Sequence, residues 1–189
     1  MLFLVENCFQ WMGFHLVNCL LENGYKVDGV DDLSSEKKEN LSMYVGRNAS
    51  FQHLTSSKRG TTYDRSINIK DKEFVLTIKQ NTSHRIKLPL LFGEWMPMKR
   101  DGMYLQSTFI SFDSDIFLNE AIYIGDFMRS LIQWEKSSQL PEVLEVKSIN
   151  NKQNEEIKLE NSVYIRNNRT IEENLEMVIK HYEKFEELY

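Results

Sequence analysis

Two residues near the start of the chain have the type and spacing to hold a nucleotide. Gly13 sits in the stretch ENCFQWMGFHL, Glu6 to Leu16, between a short apolar run and an amphipathic helix pattern, and Asp31 closes the next apolar run eighteen positions later. In a strand–turn–helix unit, glycines let backbone N–H groups approach a pyrophosphate at the positive end of the helix. An acidic residue ending the following strand then accepts hydrogen bonds from the ribose. The spacing is that of a dinucleotide site, but the turn carries a single glycine. Cys8 shares this turn, where a helix N-terminus could lower a thiol pKa. With no base or second cysteine beside it, the competing reading is a small buried core residue.

The remaining metal-ligating types do not cluster. Cys8 and Cys19 are eleven positions apart and form neither a C-x-x-C pair nor a complete zinc site, while His15, His53, His84 and His181 show no ligand spacing. No metal site is expected, and both cysteines read as reduced thiols of a cytoplasmic protein.

These residues need a scaffold, and 189 residues suffice for one domain with a real core, so 1–189 is read as a single domain. Hydrophobic side chains at 41% and only three prolines point to a compact globular chain. With 28 acidic against 23 basic side chains the net charge is -5, which disfavours nucleic acid as a partner. The N-terminal MLFLVENCF lacks the basic start and sustained core of a signal peptide. No run approaches the roughly 20 apolar residues of a membrane span, so no membrane association is expected.

Leu2 to Val5 is an uninterrupted apolar run, as in a strand buried on both faces of a parallel sheet. Trp11 to Asn23 carries a helical stripe through Met12, Leu16, Val17, Leu20 and Leu21, with Gly24 placed as a left-handed cap. Lys26 to Val30 is a second strand, so residues 1–54 begin with a βαβ unit; Glu36 to Gly46 is helical or irregular, and Phe51 to Leu54 a third strand. Within 63–92 the period changes to two. Ile67 and Ile69, then Phe74, Leu76 and Ile78 across Lys70-Asp71-Lys72, predict a β-hairpin, and Arg85 to Phe92 a strand with Pro89 at an edge or end. Gly93 to Gly102 reads as a loop. Within 120–189, Gly125 to Trp134 is helical, and Glu142 to Val146 and Ser162 to Ile165 are short strands around the polar loop 150–156. Thr170 with Glu173 forms a capping box before a final helix with an apolar face of Ile171, Leu175, Val178, Ile179, Tyr182 and Phe185.

The opening resembles that of the extended short-chain dehydrogenases, the NAD-dependent epimerase/dehydratase family that acts on nucleotide sugars. The family opens with V-T-G-G-A-G-F-I-G-S-H-L and continues to G-x-D-N-L-S. Here Trp11-Met12-Gly13 matches F-I-G, His15-Leu16 matches H-L, and Gly29-Val30-Asp31-Asp32-Leu33-Ser34 matches the second-strand ending. "IKLPLLFGEW" is similar to the family's R-x-x-N-x-Y-G-P segment, "AIYIGDFMRSLI" to its Y-V-D-D-x-x-x-A-I segment, and the tail to its closing helix. The resemblance implies an α/β fold: a truncated, Rossmann-like, mostly parallel sheet flanked by helices, with an inserted β-hairpin. It also implies NAD(P) at Gly13 and Asp31.

The departures bear on activity. Asn7 and Gln10 stand at the first two glycines of G-x-x-G-x-x-G, and Gln10 puts a long side chain where pyrophosphate should meet backbone. The family's Tyr-x-x-x-Lys, whose lysine activates the tyrosine, is missing: Tyr63, Tyr104 and Tyr182 are followed four positions on by Ile67, Thr108 and Glu186. Leu90, Phe92 and Gly125 stand at polar substrate-facing positions of the family. The expectation is a catalytically inactive relative, without assigned catalytic residues and without a required cofactor. It would act through a protein partner, a second copy of itself or a residual nucleotide, with Phe9 and Trp11 bringing bulk that blocks the groove. The alternative is an NAD(P)-dependent nucleotide-sugar epimerase/dehydratase with a non-standard site, using Tyr104 or Tyr123 with Lys99 or Arg100.

Overall fold

A computed structural model describes residues 1–57, 60–70, 72–79, 82–137, 140–150 and 161–189. Asp71 in the expected hairpin turn, and the expected polar loop beyond Asn150, lie outside the described residues. The chain forms two compact units, Met1–Ile86 and Lys87–Tyr189.

The first unit begins with β1 (Leu2–Glu6), α1 (Trp11–Glu22), β2 (Lys26–Val30), α2 (Glu36–Val45) and β3 (Phe51–Leu54). Then follow β4 (Arg65–Ile69), β5 (Glu73–Ile78) and β6 (Thr82–Lys87). These strands lie in the order β6-β5-β4-β1-β2-β3. β1 is parallel to both β2 and β4, β2 is parallel to β3, and β4 and β5 form the antiparallel hairpin. Helix α1 ends as its sequence dictates: Gly24 takes φ +78°, its N–H reaches Leu21 O and that of Tyr25 reaches Leu20 O. This is the Schellman pattern that satisfies the last carbonyls of a helix. Helix α2 is capped by the Ser35 hydroxyl, which accepts from Lys38 N.

Alternation sorts the sheet's faces. Phe3, Val5, Val27, Ile67, Leu76 and Phe74 are buried with Leu16, Val17 and Leu20 of α1, each such side chain contributing roughly 1.5–3 kcal/mol. Successive right-handed crossovers put α1 and α2 on this same face. The other face carries Asp28, Leu4, Ser66 and Thr77, which are neighbours across β2, β1, β4 and β5.

The second unit contains β7 (Leu90–Phe92), β8 (Met98–Lys99), β9 (Gly102–Leu105), β10 (Thr108–Ser111), α3 (Asp115–Glu120), β11 (Ala121–Tyr123) and α4 (Ile124–Glu135). β12 (Val143–Ser148), β13 (Ser162–Ile165) and α5 (Ile171–Lys184) complete it. β7 pairs with β11 and β12 with β13, both in parallel, while β8, β9 and β10 form an antiparallel meander. Two expectations are corrected here. Arg85 to Phe92 is two strands, β6 and β7, because Pro89 has no N–H to donate to a ladder and so separates them. Gly93 to Gly102 is not wholly loop, since it holds β8. The capping box of α5 forms as read, with Glu173 N donating to Thr170 Oγ1 and Thr170 N to Glu173 Oε2. The fold is α/β, with a mostly parallel central sheet and flanking helices. No helix among the described residues is long and apolar enough to cross a membrane.

Candidate functional site

In an open α/β sheet, ligands settle beyond the carboxyl ends of the strands where the chain order reverses. Here that point lies between β1 and β4, beside the turn from Asn7 to Gln10. Asn7 adopts φ +60°, a left-handed conformation in which asparagine is one of the few tolerated side chains. Its N–H reaches Val30 O at 2.8 Å. Its side-chain amide crosses the reversal point and donates to Ile69 O at the end of β4, also at 2.8 Å. One pair earlier in the register, Asn68 Nδ2 donates to the Glu6 carboxylate. Two side-chain links therefore span the place where a crevice would open.

Asp31 lies at the end of β2, and its carboxylate is engaged within the chain. Oδ2 accepts the N–H of Phe9 at 2.8 Å; Oδ1 accepts Asp32 N and Lys38 Nζ, each at 2.8 Å. The side chain is only 4% exposed. Lys38, in the first turn of α2, also pairs with Asp32. Hydrogen bonds from Lys38 and Ser34 hold the Asp32 carboxyl down at about 2.

Phe9 is buried, its ring 4.9 Å from that of His53 and 6.2 Å from that of Phe51. His53 Nε2 lies 2.9 Å from Asp31 O. Gln10 is exposed, and α1 begins without a side-chain cap or an acidic residue in its first turn. Gly13 serves packing: a Cβ there would meet Asn7 O at 2.2 Å and Cys8 Cα at 2.9 Å. Gly29 leaves room for Cys8, whose Sγ would lie 2.7 Å from an added Cβ. Cys8 is fully buried. Burial, then the Asp31 charge, pushes its thiol up, away from reactivity.

The structure thus brings Gly13, Cys8 and Asp31 into one neighbourhood. Lys38 and His53 were not singled out from sequence. The available signal was a basic residue seven positions past Asp31 at a helix start; for His53 there was none. Among the described residues no group of three His, Cys, Asp or Glu could hold a metal ion.

The tyrosines considered for acid–base work belong to the second unit. Tyr123 OH donates to Glu94, 3.0 and 3.1 Å from its two carboxylate oxygens. Burial first, and then Glu94, pushes that phenol up, so it holds its proton and makes a poor base. Lys99 Nζ lies 5.9 Å from the Tyr104 ring centroid. Hydrogen bonding to Tyr104 holds the Lys99 ammonium up. Arg100 pairs with Glu183 at 3.0 Å.

No protein-family model matches the chain, and no curated protein matches it. Among solved structures it is similar to the UDP-glucose 4-epimerase of the hyperthermophilic eubacterium Thermotoga maritima, crystallised with UDP-glucose. The TM-score is 0.54 at 14% identity, over 97% of this chain and 99% of that one. At that identity the likeness concerns the fold, the same α/β architecture with a mostly parallel central sheet.

Proposed function

We propose that the protein is a non-catalytic relative of the nucleotide-sugar epimerase/dehydratases that works through binding, to a protein partner or to a residual nucleotide. The observation that carries this reading is the engagement of Asp31. A ribose would have to displace the N–H of Phe9 and the ammonium of Lys38 from a carboxylate that is almost wholly buried. Exchanging those charge-assisted bonds for hydroxyl donors brings no net gain. The Phe9 side chain, packed between His53 and Phe51, adds bulk beside the carboxylate. The residues of the turn therefore do not fit NAD held as a glycine-rich turn holds it. The uncapped N-terminus of α1 is what remains to meet a phosphate.

Calorimetric titration with NAD, NADP and UDP-glucose at millimolar concentration tests this. The expected result is no saturable dinucleotide binding. Tight NAD binding abolished by Asp31→Ala would overturn the proposal and favour an enzyme with a non-standard site. Sedimentation equilibrium on the same sample measures self-association and so separates a second copy from a different partner.

A further inference from the structure

We propose that the face of the first unit's sheet opposite α1 carries a binding pocket for a small, neutral, polyhydroxylated ligand of the monosaccharide or polyol class. This goes beyond the reading of the Asp31 turn, and shares no residue with it. Strand alternation supplies the floor: Leu4 on β1, Ser66 on β4 and Thr77 on β5 are consecutive neighbours across the sheet. Four residues that precede β4, Ser57, Gly60, Thr61 and Tyr63, supply the wall. Together they surround an open-mouthed cavity of about 310 Å³. Ligand sites span roughly 300–1,000 Å³, so this one suits a molecule of a single ring.

The lining is unusual for the middle of a sheet. Its side chains are five hydroxyl bearers, Ser57, Thr61, Tyr63, Ser66 and Thr77, with Leu4 the apolar exception. Hydroxyls both donate and accept, so they complement alcohols and offer no fixed charge to an anion or cation. Beside Leu4 in the register, on the same face, Asp28 is 5% exposed. It accepts from Tyr63 OH at 3.1 Å. A buried carboxylate in a strand is costly unless it is hydrogen-bonded. Here it fixes the direction of the phenolic proton. Thr77 Oγ1 is likewise held, 3.1 Å from Ser83 Oγ. Leu4 and the Tyr63 ring, 7% and 6% exposed, are the apolar part of the lining.

Saturation-transfer NMR of the full chain with D-glucose, D-ribose and glycerol, beside glucose 6-phosphate, tests the proposal. The expected result is transfer to the neutral ligands that falls at least fivefold in Ser66→Val and Thr77→Val. Both substitutions suit a strand and keep the fold, which circular dichroism and the melting temperature verify. Absence of transfer at ligand concentrations well above about 1 mM would overturn it. So would transfer unchanged in both folded variants, or preference for the phosphorylated sugar. Neither result bears on dinucleotide binding at Asp31, which is read separately by calorimetry.

Discussion

Asp31 Oδ2 lies 2.8 Å from the backbone nitrogen of Phe9, tying the end of β2 to the turn that follows β1. The same carboxylate holds Lys38, so one side chain joins the turn, the strand and the first turn of α2.

Asp31→Ala strips the Phe9 N–H and the Lys38 ammonium of a buried partner, and is expected to cost about 2–3 kcal/mol. Asp31→Asn keeps one acceptor oxygen and should lose less. Lys38→Ala, which removes the more exposed partner, should cost about 1 kcal/mol. Urea denaturation of the three variants gives the order; equal midpoints for wild type and Asp31→Ala would show that the carboxylate does not hold the turn.

Gly13→Ala sets two effects against each other. Inside a helix alanine is favoured over glycine by roughly 0.8–1.0 kcal/mol. The added methyl, however, would sit 2.2 Å from Asn7 O and 2.9 Å from Cys8 Cα, both backbone atoms that move only with the turn. Overpacking of this kind costs about 1–3 kcal/mol, so the clash should win and the melting temperature should fall. A stabilised variant would mean that Gly13 has no packing role.

The cysteines should differ in reactivity. Cys8 is fully buried, and burial and the nearby Asp31 charge disfavour its thiolate, while Cys19 is partly exposed. Brief iodoacetamide treatment of the native protein, read by peptide mass spectrometry, should label Cys19 and spare Cys8. Early labelling of Cys8 would identify the turn as open.

Local chemistry made much of this fold legible. The apolar run of β1, the stripe of α1 with Gly24 after it, and the Thr170–Glu173 box each depend on neighbours within a few residues, and each element forms where those neighbours predict. The meander of β8, β9 and β10 escaped, because β8 has only two residues and Gly102, Gln106 and Ser107 break the apolar pattern at the ends of the strands beside it. On α5 the buried position between Ile171 and Val178 is Asn174, a polar residue that an apolar pattern cannot select. At the site, Gly13 and Asp31 stood out by type and spacing. The partners that engage Asp31 did not, since a backbone N–H has no sequence signature and Lys38 meets the carboxylate only once α2 has formed.

The loop before β8 offers a pH-dependent reading of a second close contact. Trp95 takes φ +67°, a conformation rare for a bulky side chain. Its N–H donates to Tyr189 OH at 2.8 Å, and its ring stacks on that of Tyr189 with centroids 5.5 Å apart. The phenol also lies 2.6 Å from His181 Nδ1. Burial above all pushes the Tyr189 phenol up to about 12 from an ordinary value of 10.0. A folded pKa raised above the unfolded one means that the contact's contribution is complete below pH 10 and is lost as pH rises through about 12. Tryptophan emission, followed together with tyrosinate absorbance, should change between those values as Trp95 is released. Tyr189→Phe should abolish that step while leaving Trp11 and Trp134 to emit as before. Its persistence in Tyr189→Phe would assign the transition to another group.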